Sequence, residues 1–297
     1  MYDVVIVGAG PAGLSAALIL GRSRRRVLVC DTGKPRNAAS REMHGYLTRD
    51  GIPPAEFLGI AREQLAQYET IEMRSAEVTA AECIDGRFRS TFADGTFVMS
   101  RKMLIATGVV DNLPEIPGFR EFYGISVFHC PYCDGWERRD KPIAIYGRGA
   151  RGLGLSLELT GWSRDLVLCT DGPSEIEPAD LERLRRNGIR VCEDRVVRLE
   201  GGDTLEHVVF ASGPPLAREA VFFTTGQTQQ SFLAHSLGCA INEKGTVRTG
   251  KYEATHLSGL YVAGDASRAV QWVIVAAAEG AEAAFAINTD LLQEDLL

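Results

Sequence analysis

Residues 4–13 read Val-Val-Ile-Val-Gly-Ala-Gly-Pro-Ala-Gly. The first four form a continuous β-branched run, which is typical of a strand buried on both faces of a parallel sheet. An alanine- and leucine-rich stretch to about Gly21 predicts a helix, and residues 27–30 (VLVC) predict a second strand. Strand, glycine turn, helix and strand in this order predict a dinucleotide-binding βαβ unit.

Each residue of the glycine turn has a physical task. Gly8 permits a tight turn, Gly10 lets the backbone approach a pyrophosphate, and Gly13 lets the helix pack close to the strand. The phosphates are expected at the start of the helix, beside Pro11 and Ala12, because unpaired N–H groups and the helix dipole favour anions there.

The same arrangement occurs a second time along the chain. Residues 143–146 (IAIY) and 166–169 (LVLC) predict two strands, and the turn between them contains three glycines, Gly147, Gly149 and Gly152. Asp171 follows Gly147 by 24 residues, and Asp31 follows Gly8 by 23; acids at this spacing bind a ribose hydroxyl. The repeat predicts an α/β protein with two Rossmann-like, three-layer dinucleotide-binding domains, the second inserted into the first.

Two further segments indicate which cofactor the first unit binds. Residues 103–108 (MLIATG) predict a short strand that ends in a small-residue turn. Residues 259–265 (GLYVAGD) predict another strand, followed by a helix from about Val270 to Thr289. With the glycine turn and a Cys130–Cys133 pair, these segments resemble the low-molecular-weight thioredoxin reductase family of FAD-dependent enzymes. The similarity covers nearly the whole length of the chain.

The resemblance implies a set of FAD contacts. Asp265 would hold the ribityl chain, and Gln271 would take the place of a family glutamine, whereas Val270 replaces the arginine usually found before it. Three residues of the segment 34–51, Arg36, Asn37 and His44, would contact the isoalloxazine, with ordinary loop positions as the open alternative. The whole expected FAD set is Gly8, Gly10, Pro11, Ala12, Gly13, Asp31, Arg36, Asn37, His44, Ala106, Thr107, Gly108, Gly264, Asp265, Gln271 and Trp272.

The pair Cys130 and Cys133 is the motif that carries redox chemistry. Two cysteines with two residues between them can close a small disulfide ring, and such a motif lowers the pKa of a thiol. A zinc site would need a second ligand pair, but the remaining cysteines are isolated, so no metal is predicted. A glutaredoxin-type site would need its own small βαβ fold. The position just past the first dinucleotide unit favours a pair coupled to the flavin.

The resemblance also implies roles for the residues of this pair. Cys133 would be the flavin-proximal sulfur and Cys130 the interchange thiol that attacks or releases an external disulfide. Asp134 occupies the acid/base position. A departing thiolate needs a proton, and a neighbouring carboxyl group can supply it if partial burial raises its pKa.

The second dinucleotide unit departs from the family pattern. In the family it holds NADPH, whose 2′-phosphate is gripped by a cluster of arginines through bidentate bonds. Here the strand runs into Thr170-Asp171-Gly172-Pro173, without such a cluster. A carboxylate accepts from a ribose 2′-hydroxyl but repels a 2′-phosphate, so NADPH is a doubtful ligand. NADH, a second FAD and no ligand are the three alternatives.

The expected function is therefore a thioredoxin reductase-like, FAD-dependent disulfide oxidoreductase that is not efficiently linked to NADPH. Electrons would come from another donor, such as a ferredoxin, and pass to a thioredoxin-like protein or a small disulfide. One alternative is a flavin dithiol oxidase that passes electrons from a small-molecule dithiol to O₂; such enzymes usually carry histidine at the position of Asp134. A second alternative is an FAD-binding redox sensor without turnover.

Domain limits and surroundings follow from composition and turns. The FAD domain is expected at residues 1–113 and 225–297, and the inserted domain at 114–224. A homodimer is the family default. A formal net charge of -7 argues against nucleic-acid and anionic-membrane partners, and glycines interrupt the apolar N-terminal stretch. The start of the chain does not resemble a signal peptide and the cysteines are scattered, so a cytoplasmic protein is expected.

Overall fold

The structure is a computed structural model that describes residues 1–297. The first stretch of chain begins with the apolar strand and glycine turn that the sequence predicts. It contains strands β1 (Tyr2–Val7), β2 (Val27–Asp31), β3 (Ile71–Ser75), β4 (Val78–Ile84), β5 (Arg87–Phe92), β6 (Phe97–Ile105) and β7 (Val109–Asp111), with helices α1 (Pro11–Arg22) and α2 (Pro54–Leu65).

The middle stretch repeats this alternation of strands and helices. Its strands are β8 (Val127–Phe128), β9 (Ile143–Tyr146), β10 (Leu166–Cys169), β11 (Arg190–Cys192), β12 (Val196–Gly201), β13 (Leu205–Phe210), β14 (Leu216–Ala217) and β15 (Ala220–Phe223). Its helices are α3 (Pro131–Asp134), α4 (Gly149–Leu159) and α5 (Pro178–Arg186).

The last stretch returns to the first dinucleotide fold. It contains β16 (Gln227–Gln229), α6 (Leu233–Ser236), β17 (Leu260–Val262) and the long helix α7 (Val273–Leu296). Three short 3₁₀ helices complete the chain at Trp136–Arg138, Lys251–Glu253 and Gly264–Ala266. None of the helices combines the length and apolar character that crossing a bilayer requires.

The chain forms two compact units. Unit 1 comprises Met1–Ala38, Gly45–Val110 and Gln227–Leu297, and unit 2 comprises Ala39–His44 and Asp111–Gly226. The predicted α/β class, with one dinucleotide fold inserted into the other, is confirmed. The domain limits drawn from the sequence, at residues 113 and 225, stay a prediction.

Unit 1 is built on a seven-stranded sheet in the order β3-β2-β1-β6-β5-β4, with β17 also paired to β6. Strand β1 lies parallel to both β2 and β6, whereas β5 runs antiparallel to β6. Successive side chains of β1 point to opposite faces. Val4 and Ile6 pack with α1 and α7, while Val5 and Val7 pack with α6 and the antiparallel strands.

Unit 2 is built on a five-stranded parallel sheet in the order β11-β10-β9-β15-β8. Ile143 and Ile145 of β9 pack with α4 and α5 on one face. Ala144 packs on the other face with residues of β12 and β13, which with β14 form a three-stranded antiparallel sheet. Helices, parallel sheet and small antiparallel sheet are thus the three layers of unit 2.

Candidate active site

The glycine turn of unit 1 joins two of the motifs that the sequence singles out. Gly8 has φ +106°, and a Cβ there would lie 2.3 Å from the carbonyl oxygen of Ala106. A Cβ on Gly13 would lie 1.9 Å from the carbonyl oxygen of Gly8. Both positions therefore exclude larger residues, and the packing brings the turn against the segment Ala106–Gly108.

The start of α1 stays open. Gly10 is the N-cap of α1, no side chain caps the helix, and Pro11 occupies its first turn. No atom lies within 4 Å of the place where a Cβ on Gly10 would stand. Uncapped N–H groups beside open space are what a pyrophosphate requires.

Asp31 lies at the end of β2 and braces this turn. Its Oδ1 accepts a hydrogen bond from the amide of Ala9 at 3.1 Å, and its Oδ2 accepts from the amide of Gly33 at 3.1 Å. Arg62 forms an ion pair with Oδ2 at 3.5 Å. The predicted ribose-binding acid thus lies next to the glycine turn, as the motif requires.

Thr107 contributes an unpaired polar atom to the same edge. Its Oγ1 is buried and makes no hydrogen bond. The hydroxyls of Thr70, Ser90 and Ser100 are also buried and unpaired, so it is the position of Thr107 beside the glycine turn that makes its hydroxyl a candidate ligand contact. Gly108 follows with φ +70°, in the short turn between β6 and β7.

Arg36, Asp265 and Gln271 come together although they lie far apart in the sequence. Arg36 Nη1 lies 2.9 Å from Asp265 Oδ2 and donates to Gln271 Oε1 at 2.7 Å. Gln271 Nε2 donates to the carbonyl oxygen of Asp265 at 3.2 Å. Asn37 lies in the turn after Arg36, and Trp272 is the N-cap of α7. Arg36 also bonds Gln227 Oε1 at 3.2 Å, a contact that no motif predicted.

These residues fit the FAD that the resemblance implies. The open helix start suits the pyrophosphate, the buried Thr107 hydroxyl requires a partner, and Asp265 offers a carboxylate for ribityl hydroxyls. No group of three or more His, Cys, Asp or Glu side chains is arranged to hold a metal ion.

In unit 2, Cys130 and Cys133 form a disulfide. Cys130 is the N-cap of the short helix α3, and its carbonyl oxygen accepts from the amides of Cys133 and Asp134 at 3.2 Å each. Gly135 packs against Trp162, where a Cβ would lie 3.0 Å from the indole ring. Backbone bonds and close packing therefore fix the motif locally.

Asp134 has an environment suited to proton transfer. Its pKa is raised to about 7, chiefly by burial and to a smaller extent by the nearby carboxylate of Glu137, while His44 and Arg138 oppose the shift. His44 belongs to unit 2, and its Nε2 lies 3.7 Å from Glu137 Oε1. The structure therefore groups His44, which was expected at the flavin, with the acid beside the cysteines. Its role at the flavin stays a prediction.

Two exposed aromatic rings flank the disulfide. Tyr132 and Trp136 are 60% and 65% exposed. The Tyr132 ring packs edge-on against Trp162 with centroids 5.3 Å apart, and the Arg139 guanidinium lies over the Trp136 ring. The cysteine motif therefore lies within an aromatic surface.

The second glycine turn packs like the first. A Cβ on Gly152 would lie 2.8 Å from the carbonyl carbon of Gly147, as Gly13 approaches Gly8 in unit 1. Gly147 also packs against Thr224: a Cβ on Gly147 would lie 2.6 Å from the Thr224 methyl group. The strand–turn–helix geometry is thus common to both units.

The start of α4 is covered, unlike that of α1. The amide of Gly149, the first residue of α4, donates to the carbonyl oxygen of Ser174 at 2.8 Å. Arg148 Nε donates to the carbonyl oxygen of Thr170 at 3.0 Å, and its guanidinium lies 3.5 Å from Glu175. We call residues 170–175 the cover segment, because it folds back over the helix start.

Asp171 lies within the cover segment, and each of its carboxylate oxygens accepts a hydrogen bond. Its Oδ2 accepts from the Tyr146 hydroxyl at 3.0 Å, and its Oδ1 accepts from the amide of Val196 at 2.8 Å. Asp31 also accepts two backbone hydrogen bonds, so the acids alone do not distinguish the two units. The helix starts do distinguish them.

Several residues of these sites carried no sequence signal. Tyr146 binds the cover segment through Asp171, and Ser174 belongs to that segment and binds the Gly149 amide. Glu137 lies close to His44. Only Tyr146 could have been suspected, because it ends a strand beside the glycine turn.

Comparisons with known proteins agree with this geometry. A family model of pyridine nucleotide-disulphide oxidoreductases matches residues 2–280. A probable thioredoxin reductase of Arthroderma benhamiae is 32% identical over 301 residues, which cover 90% of this chain and 74% of that protein. The thioredoxin reductase sirT of Leptosphaeria maculans is 30% identical and covers 100% of this chain and 96% of its own length.

Among solved structures, a putative thioredoxin reductase TrxB from Bacillus anthracis matches with a TM-score of 0.94 and 33% identity. The match covers 99% of this chain and 100% of that chain.

Proposed function

Because the chain belongs to the pyridine nucleotide-disulphide oxidoreductase family, we propose that it catalyses dithiol–disulfide exchange at Cys130 and Cys133 without using NADPH. It is an oxidoreductase of the thioredoxin reductase-like, FAD-dependent group. The main support for the absence of NADPH use is the hydrogen bond from the Gly149 amide to the carbonyl oxygen of Ser174, which covers the start of α4.

The cysteines exchange electrons with an external disulfide in two steps. The Cys130 thiolate attacks one sulfur of the external disulfide, forms a mixed disulfide and releases the other sulfur as a thiolate. The Cys133 thiolate then attacks Cys130, which releases the second substrate thiolate and forms the Cys130–Cys133 disulfide. Two electrons and two protons reach the substrate, and the reverse steps oxidise a dithiol.

Asp134 moves the protons that these steps require. With a pKa of about 7, it is partly protonated near neutrality and can protonate a departing thiolate or accept a proton from an attacking thiol. A carboxyl group with an ordinary pKa of about 4 would be ionised almost completely and could not donate.

Bound FAD would supply the two-electron donor or acceptor that turns the cysteine pair over. The start of α1 would hold its pyrophosphate, Asp31 its adenosine ribose and Asp265 its ribityl chain. Thr107, Arg36 and Gln271 would line the same cradle.

NADPH binding is disfavoured for two reasons. A dinucleotide needs the N–H groups at the helix start, and the Gly149 amide is already bonded to Ser174. The Asp171 carboxylate would repel a 2′-phosphate, and the Arg148 side chain is held on the carbonyl oxygen of Thr170. Of the three alternatives for the second unit, the absence of a ligand has the strongest support.

Electrons must then enter or leave by another path. In the reductase direction a protein donor such as a ferredoxin would reduce the enzyme, and the enzyme would then reduce a thioredoxin-like protein or a small disulfide. The covered helix start also favours a second candidate, a dithiol oxidase that passes electrons to O₂. A homodimer stays a prediction of the family resemblance.

An anaerobic titration with a small dithiol tests the exchange chemistry. The flavin of the wild-type enzyme should lose its visible absorbance as dithiol is added. The Cys130→Ser and Cys133→Ser variants should bind FAD but stay yellow. If either variant bleached as fast as the wild type, the cysteines would not carry the electrons.

Oxygen consumption separates the two directions. Addition of a dithiol in air should produce sustained O₂ uptake if the enzyme is an oxidase, and a single turnover with slow reoxidation if it is a reductase. FAD binding without any dithiol or disulfide turnover would support the redox-sensor alternative instead.

A further inference from the structure

The turn that carries Asp265 is anchored from behind by side chains that no motif includes. We call residues 264–268 the ribityl turn, because Asp265 lies within it. Its first residue, Gly264, has φ +78°, and its last, Arg268, forms an ion pair with Glu279 of α7. Asp265 lies between these two anchored residues.

Glu279 of α7 makes the first anchor. Its side chain is almost completely buried, and its Oε2 accepts a hydrogen bond from the amide of Gly264 at 2.8 Å. Its Oε1 lies 2.8 Å from Arg268 Nε, in an ion pair. One carboxylate therefore binds both ends of the ribityl turn.

Glu253 makes the second anchor. It is completely buried and pairs with the guanidinium of Arg268. Thr249 Oγ1 donates to its other oxygen at 3.2 Å. Tyr252 and Glu253 both have positive φ, 56° and 62°, which is costly for residues other than glycine. Such a conformation persists only where surrounding contacts impose it, and here it directs Glu253 toward Arg268.

The anchors lie where α7 crosses the start of α1. A Cβ on Gly264 would lie 3.1 Å from the Ala12 side chain, and a Cβ on Gly280 would lie 1.9 Å from the Ala12 carbonyl oxygen. Ala12 belongs to the helix start that suits a pyrophosphate. A shift of Gly264 would therefore displace Asp265 and disturb α1 at once.

We propose that Glu279 is a positioning residue for FAD, which holds the ribityl turn so that the Asp265 carboxylate meets the ribityl hydroxyls beside the start of α1. Arg268 and Glu253 keep the Glu279 carboxylate in place. The inference rests on the proposed binding of FAD by unit 1, and it concerns affinity rather than turnover.

The protonation of Glu279 bears on the choice of variants. The pKa of Glu279 is raised to about 7, mainly by burial and with a smaller contribution from the Glu253 charge, while the Gly264 amide and Arg268 oppose the shift. The group is thus partly neutral near pH 7, and a neutral acceptor of the same shape should replace it. Glutamine provides that acceptor, whereas leucine provides only the volume.

A purely structural role makes a different prediction. A buried ion pair replaced by an apolar residue of similar volume is often neutral for stability. If Glu279 served only the fold, Glu279→Leu would alter the melting temperature or nothing, and the affinity for FAD would not depend on the amide acceptor.

The test measures the dissociation constant of FAD by the recovery of flavin fluorescence on dilution of the holoprotein. Glu279→Leu should weaken FAD binding by about 10-fold or more, as expected for the loss of a charge-assisted hydrogen bond. Glu279→Gln should stay within about 3-fold of the wild type, because the Gly264 amide keeps an acceptor. Glu282→Gln, on an exposed position of the same helix, is the matched control and should bind as the wild type does.

Equal affinities in wild type and Glu279→Leu would overturn the inference, as would equal losses in the glutamine and leucine variants. If Glu279→Leu does not fold, Arg268→Met removes the cation that holds the carboxylate and must also weaken FAD binding; unchanged affinity would overturn the inference. A wild-type chain that binds no FAD would instead refute the proposed function.

Discussion

Asp134 shows how one residue is adapted by its surroundings. A carboxyl group beside a redox pair is useful only if it holds a proton near neutral pH. Here burial supplies the largest contribution to a pKa of about 7, and Glu137 adds a smaller one. The acid form can therefore serve disulfide reduction and the base form can serve dithiol oxidation.

Asp134→Asn should slow disulfide exchange on the order of 100-fold while FAD stays bound, as is usual when a general acid or base is lost. The pH profile gives the sign. In disulfide reduction the protonated acid is required, so the wild-type rate should fall as pH rises through about 7, and in dithiol oxidation it should rise. Stopped-flow measurements from pH 5 to 9 give the rates in both directions, and the variant should lose the pH dependence near 7.

The exposed Asp140, in the same segment, gives the matched control. Asp140→Asn should keep both the wild-type rate and its pH dependence near 7. An unchanged profile in Asp134→Asn would reject Asp134 as the proton-transfer residue.

At single positions, the sequence is informative where a residue has a fixed backbone task. The close packing of Gly8 and Gly13 and the location of Asp31 beside the turn follow from turn geometry, whereas their contacts with a cofactor stay predictions. His44 could not be placed, because its neighbours Glu137 and Asp134 lie about 90 residues away in the chain and only the tertiary fold brings them together.

At the scale of elements, the two strand–turn–helix motifs share packing but differ in access. Gly13 and Gly152 approach the preceding glycine closely in both units. The start of α1 is open, whereas the cover segment folds over the start of α4. We therefore expect access to the helix start, rather than the glycine pattern, to determine which unit binds a dinucleotide.

Two alanine substitutions separate packing from binding in α1. Gly13→Ala should destabilise unit 1, because its Cβ would overlap the Gly8 carbonyl oxygen at 1.9 Å. A loss of about 1–3 kcal/mol is usual for overpacking and should lower the melting temperature by several degrees. Thermal unfolding followed by circular dichroism measures this change.

Gly10→Ala is the matched comparison, since open space surrounds that position. The apoprotein should melt as the wild type does, but the new methyl group should obstruct the pyrophosphate and lower the FAD content of the purified protein. Full FAD content in Gly10→Ala would contradict the placement of the pyrophosphate.

Element limits were predictable where polarity changes and not elsewhere. The strand at β1 and the helix α1 follow from the switch between a β-branched run and a glycine turn. The long helix begins at Val273 rather than near Val270, because the start of the apolar run at residues 273–278 has no periodic marker. It continues to Leu296, beyond the predicted end at about Thr289, because no glycine or proline follows to stop it. The cover segment depends on positive φ at Asp171 and Glu175, and such a conformation cannot be predicted from the sequence at residues other than glycine.

At the scale of the whole molecule, the two units predict a definite cofactor count. Unit 1 offers an open helix start and a buried hydroxyl that lacks a partner, whereas the corresponding helix start of unit 2 is bonded to its own chain. We therefore expect one FAD per chain. Absorbance of released flavin against protein concentration measures the ratio, and a value near two would contradict the covered helix start of unit 2.

We expect that NADPH is not an efficient electron donor, and anaerobic stopped-flow reduction of the flavin can test this. A small dithiol should bleach the flavin through Cys130 and Cys133. NADPH should act at least about 100-fold more slowly, because the charge-assisted bonds that hold its 2′-phosphate are missing. Bleaching by NADPH as fast as by dithiol would show that NADPH is an efficient electron donor and that the covered helix start does not exclude it.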